Sequence, residues 1–131
     1  MIKVNRELNS EKITKAIEIL QKEKAKDRGK YNTEEVVEAL EAVFSSKCYI
    51  CENKKITSYN IEHLKPHKDK NIDLKFDWNN LFLACAHCNN IKRANYENIL
   101  DCTKVDVDEL IYFKKTGNFA WEENSIELYK K

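Results

Sequence analysis

Residues 9 to 26 alternate with the period of a helix: Ile13, Ala16, Ile17 and Leu20 share one face, and lysines and glutamates fill the other. Ser10 is placed to cap its start, and Asp27-Arg28-Gly29-Lys30 breaks it, with Gly29 the natural stop. A second helix opens at Asn32-Thr33. Glu34 and Glu35 lie in its first turn, where the helix dipole favours acids, and Val36, Val37, Leu40, Val43 and Phe44 form its apolar stripe. Both stripes read as core-facing, which predicts a helical hairpin packed on whatever follows.

From Lys54 to Lys65 the pattern loosens towards a period of two through Ile56, Tyr59 and Ile61, the signature of a bent strand or hairpin, and Pro66 ends it. Residues 67 to 77 read as a polar loop. Lys65, Lys68, Lys70 and Lys75 against Asp69 and Asp73 give this stretch a positive balance beside His63, suited to phosphate contact. The run Leu81-Phe82-Leu83-Ala84 must be buried, and a helix is expected from about Cys88 to Asn95. Further on, Asp106-Val-Asp-Glu109 can start a short helix or turn. Ile111-Tyr-Phe113 and Asn118-Phe-Ala-Trp121 around Thr116-Gly117-Asn118 read as a β-hairpin.

The cysteines change this picture most. Cys48-Tyr-Ile-Cys51 and Cys85-Ala-His-Cys88 are two pairs at the spacing of metal knuckles, and four thiolates complete the tetrahedral shell that structural zinc prefers. The 33 residues from 52 to 84 exceed the usual separation of such pairs, so they must form a small folded insert. Cys102 has no partner at metal spacing and reads as a buried small hydrophobe. Five cysteines, four of them paired for metal, fit a reducing compartment better than a disulfide framework.

Composition narrows the function classes. The 131 residues suit one domain, and 2 Gly with 1 Pro argue against a disordered or fibrous chain. Charged residues are 34% of the chain, yet 23 basic against 22 acidic leave a net charge of +1, too little for strong unspecific attraction to DNA. Any nucleic-acid contact must be local or come through a partner. No apolar run approaches a membrane span, and Met-Ile-Lys-Val-Asn-Arg lacks the core of a signal peptide, so a cytoplasmic protein is expected.

Between the knuckles stand Ile61-Glu62-His63-Leu64-Lys65-Pro66-His67 and Asn80-Leu81, and Cys88 is followed by Asn89. This order resembles the HNH endonuclease family: a Cys-x-x-Cys, an acidic residue with His on a strand, Asn-Leu, then a second Cys-x-x-Cys followed by His or Asn. The match covers about 45 residues and involves at least seven chemically distinct positions. The flanks, with Trp78-Asn79-Asn80-Leu81 and the segment to Leu110-Ile-Tyr-Phe113 and Gly117, look like the HNH proteins of Septu-type and retron-linked anti-phage systems, which are encoded beside an ATPase.

The resemblance implies an α+β fold. An N-terminal helical hairpin (1–46) would pack on a zinc-stabilised ββα-metal core (47–96), followed by an extension with a short hairpin (97–131). It also implies a nuclease that hydrolyses DNA phosphodiesters as the effector of a defence system. His63 would be the general base, Glu62 and Asn89 the ligands of a catalytic Mg²⁺ or Mn²⁺, and Asn80 a tether for the histidine loop. Asn89 stands where many members have His, and one carboxylate in the set implies weak metal binding without substrate. Lys65, Lys92 and Arg93 are the expected phosphate contacts, Lys92 sharing a helix face with Asn89. His67, just after Pro66, reads as exposed, and His87 as surplus to a shell that four cysteines already fill. A zinc-stabilised binding module without catalysis is the alternative.

Overall fold

The computed structural model describes residues 1–7, 10–54, 58–96 and 98–110. Its helices are α1 (Ser10–Lys24), α2 (Glu34–Val43), α3 (Ile72–Phe76), α4 (Ala86–Lys92) and α5 (Val107–Leu110); its strands are β1 (Tyr59–His63) and β2 (Leu81–Cys85), the latter entered through a single 3-10 turn at Trp78–Asn80. The mixed helix and two-strand architecture is the expected one. Ile56 and the expected C-terminal hairpin at 111–121 lie outside the described residues.

The two predicted helices pack on each other as a hairpin. Ala16 and Leu20 of α1 and Val36, Ala39, Leu40 and Val43 of α2 are buried, so each large side chain among them contributes about 1.5–3 kcal/mol by leaving water. Ile17, on the edge of the α1 stripe, stays exposed. Gly29 is required for a packing reason: a Cβ there would lie 1.7 Å from the Glu23 carbonyl oxygen, and Lys30 N–H donates to Glu23 Oε2 at 2.9 Å. The chain can therefore fold back tightly against the end of α1.

β1 and β2 pair antiparallel, with Glu62 opposite Phe82 and His63 opposite Leu81. All five residues of β2 are buried, since α2 and α4 both pack against the strand. Phe82 forms the centre, its ring 4.8 Å from that of Tyr49 and 5.4 Å from that of Phe44. Over this cluster lies Arg6. Its guanidinium sits 4.6 Å from the Phe82 ring and 5.3 Å from that of Trp78, and it donates to the carbonyls of Leu81 at 2.6 Å and Trp78 at 3.2 Å. Burial lowers its pKa to about 10. Val4 N–H donates to the carbonyl of Cys102, a fully buried residue, so the two ends of the described chain close over the same core.

Two local readings need correction. The expected polar loop at 67–77 contains α3, because Asn71 caps it by accepting from Leu74 N–H at 3.1 Å and Phe76 anchors it in the core. The helix expected from Cys88 starts at Ala86, because the Cys85 sulfur takes the cap position and accepts from Cys88 N–H at 3.4 Å. It ends at Lys92, where Arg93 turns to φ 44°.

Candidate active site

The four knuckle cysteines converge: the sulfurs of Cys48, Cys51, Cys85 and Cys88 all lie within 4.8 Å of one another. Zinc–thiolate bonds of about 2.3 Å in a tetrahedron require sulfurs about 3.8 Å apart, and Cys51 and Cys85 stand at 3.9 Å. The donor set therefore fits structural zinc. Cys48 N–H bonds to the Asn53 carbonyl, Glu52 N–H to the Cys48 carbonyl with Glu52 at φ 63°, and Tyr49 N–H to Leu83 of β2, which seats the first knuckle against the strand leading to the second. A hydrogen bond from Cys88 holds the Cys48 thiol down to about 4 and pushes that of Cys88 up, as expected of thiols sharing protons that a cation would displace. His87 is exposed beside this cluster, in keeping with a shell already complete.

Adjacent strand residues face opposite ways, and Glu62 and His63 obey that rule. Glu62 points inward, 4% exposed: one carboxylate oxygen accepts from the Tyr49 hydroxyl at 2.7 Å, and the other pairs with the Lys92 ammonium at 2.5 Å. Lys92 is 2% exposed and also donates to the His63 carbonyl at 2.9 Å. Burial raises the pKa of the Glu62 carboxyl against the pull of Lys92 and Tyr49, and raises that of the Tyr49 phenol. This corrects the expectation that Lys92 contacts phosphate: its ammonium is an internal cross-link between α4 and β1. It also leaves Glu62 fully engaged, so a divalent cation there would have to displace an ammonium.

His63 faces the other side. Its Nε2 lies 3.0 Å from the carbonyl oxygen of Lys75, which can only accept, so Nε2 carries the proton and Nδ1 is left as the acceptor. Burial is the main cause that lowers its pKa to about 4; the hydrogen bond to the Lys75 carbonyl opposes this, while the nearby charges of His67, Lys92 and the Lys75 ammonium add to it. The imidazole is therefore neutral at pH 7. Tyr31, from the loop between α1 and α2, packs edge-on to it at 4.7 Å, and His67 at 4.5 Å. His67 is thus half-buried against His63, not an exposed loop residue, and burial lowers its pKa also.

Asn80 is 4% exposed and acts as a clamp. Its side-chain oxygen accepts from Lys65 N–H at 2.8 Å, and its amide donates to the Lys65 and Leu74 carbonyls at 2.9 and 3.0 Å. Leu74 adjoins Lys75, the residue that orients His63. Asn89 is half-buried on α4, one turn before Lys92, and its side-chain amide makes no hydrogen bond among the described residues. Lys65 and Arg93 are exposed. Sequence reasoning missed Tyr31, which lies 32 positions before His63 and carries no motif; only the fold-back at Gly29 brings it here.

A zinc-knuckled β-hairpin followed by a helix, with a histidine at the end of its first strand, defines a class. Residues 48–95 match the model of the HNH endonuclease family, and this segment is an HNH domain. The chain is also similar to the Septu protein PtuB of Bacillus mycoides (strain KBAB4), at 31% identity over an alignment 129 positions long that covers 72% of this chain and 44% of the relative. It thus spans less than half of that relative's length. No solved structure matches it significantly.

Proposed function

We propose that the protein is a DNA endonuclease, acting in anti-phage defence, with His63 as its general base. The observation that carries this reading is the state of His63: a neutral imidazole, fixed by the Lys75 carbonyl with Nδ1 free to accept a proton, on a hairpin fixed by a zinc cluster. A base held this way is oriented without spending its acceptor nitrogen. Asn80 contributes by holding the backbone of Lys65 and Leu74, and hence the carbonyl that orients His63. Exposed Lys65 and Arg93 suit contacts to the phosphate backbone, which position a duplex without reading its sequence.

In this class of reaction a bound Mg²⁺ or Mn²⁺ stabilises charge on the phosphate and on the leaving oxygen. The expected ligands do not fit that ion as they stand, since both Glu62 oxygens are engaged while Asn89 remains available. The similarity to a Septu protein, with the flanking resemblance, supports a cytoplasmic setting and an ATPase partner encoded alongside. Among the described residues no helix is long and apolar enough to cross a membrane.

The engagement of Glu62 favours a second reading, a zinc-stabilised binding module without catalysis. Cleavage of supercoiled plasmid separates the two. The protein is expected to nick or linearise it with Mg²⁺ or Mn²⁺, and neither His63→Ala nor an EDTA control should. Full activity in His63→Ala excludes His63 as the base. An inert parent that stays inert with its partner ATPase supports the binding module.

A further inference from the structure

Two imidazoles at 4.5 Å, walled by one phenol, are more than the proposed base requires. We propose that His67 is a second catalytic residue of this site, donating its Nε2–H to an oxygen of the phosphodiester on which His63 acts. The proposal rests on the nuclease reading and extends it to the substrate contact.

The geometry is specific to His67. Its Nδ1 accepts from the backbone N–H of Asp69 at 3.0 Å, which leaves Nε2 carrying a proton in either charge state of the ring. Among the described residues that Nε2–H has no acceptor, and the side chain is 16% exposed, so the ring is held but not sealed. Its backbone is equally fixed. Pro66 precedes it, Lys70 and Asn71 N–H donate to its carbonyl at 3.0 and 3.1 Å, and Lys68 and Asp69 occupy the left-handed region at φ 51° and 53°. Non-glycine residues enter that region only when their surroundings hold them there. Tyr31 stands edge-on to both rings, 4.7 Å from His63 and 6.4 Å from His67, and limits the approach from the α1–α2 side. With the ring centroids 4.5 Å apart, one phosphodiester is large enough to reach both imidazoles. Around the pair the charged groups are the Lys75 ammonium, the Asp69 carboxylate, which lies 3.6 Å from His67 Nδ1, and the Lys92 ammonium behind the strand. Lys75 pairs with Asp69 at 3.6 Å and Lys92 with Glu62 at 2.5 Å, so these charges balance and the Nε2–H is the group offered to a phosphate oxygen.

The test uses His67→Ala and His67→Gln in the full chain, the glutamine because its amide N–H₂ can replace Nε2–H. Two readouts are taken: plasmid cleavage with Mg²⁺, and affinity for a short DNA duplex in EDTA. Loss of one hydrogen bond to a charged oxygen corresponds to about tenfold to a hundredfold, so His67→Ala is expected to lose that much in rate, in affinity, or divided between them. His67→Gln should recover part of it, at unchanged zinc content and unfolding temperature. A His67→Ala protein with parental rate and parental affinity overturns the proposal, and so does a loss that glutamine does not reduce. If the parent proves inert both alone and with its partner ATPase, the nuclease reading fails by itself, and the affinity arm alone decides: weaker binding by His67→Ala, recovered by glutamine, sustains the phosphate contact, and equal binding removes it.

Discussion

Lys92→Met tests the part of the structure that departs most from expectation. The substitution keeps the length of the side chain and removes the ammonium that pairs with Glu62 at 2.5 Å and donates to the His63 carbonyl at 2.9 Å. Glu62 is then left 4% exposed with only the Tyr49 hydroxyl as partner. Removing one partner of a buried pair costs about 3–5 kcal/mol, because the other charge remains desolvated. A chain of this length has a total stability of about 7–20 kcal/mol, so the unfolding temperature should fall by about 10–18 °C. The measurement is thermal unfolding followed by circular dichroism, at fixed zinc and protein concentration. Glu62→Gln with Lys92→Met is the companion: the amide keeps an acceptor for Tyr49 and needs no counter-charge, so the double variant should recover at least half of the loss. The sign with pH is also determined. Burial raises the Glu62 pKa, so the folded state binds the proton more tightly than the unfolded chain, and the ionised carboxyl becomes a growing burden as pH rises through its folded value. Without Lys92 that value moves higher still, and the cost of Lys92→Met should shrink as pH falls. A single variant that unfolds within about 1 °C of the parent would refute the buried pair and restore Lys92 as a surface cation.

Cys48→Ser or Cys88→Ser should abolish the sharp unfolding transition, since zinc binding supplies folding free energy to this class of site; a sharp transition at zero zinc content would count against it. Asn80→Ala removes three hydrogen bonds and leaves the Lys65 N–H unsatisfied, a loss of about 2–4 kcal/mol in urea unfolding that a wild-type midpoint would contradict. His63, lowered to about 4, resists a proton that the unfolded chain accepts near pH 6.5, so stability should decline as pH falls between those values by up to about 3 kcal/mol. With zinc content monitored, His63→Gln should show a shallower decline, and an identical slope would show that His63 is not depressed. Gly29→Ala places a Cβ against the Glu23 carbonyl and should both lower the unfolding temperature and, by shifting Tyr31, slow cleavage; an unaffected protein would mean the fold-back is looser than described.

Much of the fold was legible because the relevant forces are local. The stripe of α2, the acids in its first turn and the apolar run of β2 each declare themselves within a few residues, and the paired cysteine spacings specify a metal cluster however long the insert between them. The same holds for α1, whose inner face is buried as its period requires. α3 was not legible, since five residues with Ile72 exposed carry too weak a period; Phe76 and the Asn71 cap settle it only once the core exists.

The site divides along the same line. Cys48, Cys51, Glu62, His63, Asn80, Cys85, Cys88 and Asn89 could be named from their order alone, because chemistry at a motif depends on residue type and spacing. Which way those side chains face could not. The alternation of β1 sends Glu62 inward to Lys92 and His63 outward to Lys75, and a lysine expected from the sequence to contact phosphate becomes the most buried cation of the described chain. Tyr31 and His67 reach His63 through two chain reversals, one at Gly29 and one at Lys68-Asp69. Burial and long-range ring contacts are sums over the whole fold, so the sequence determined which groups were available and the tertiary structure decided which of them meet.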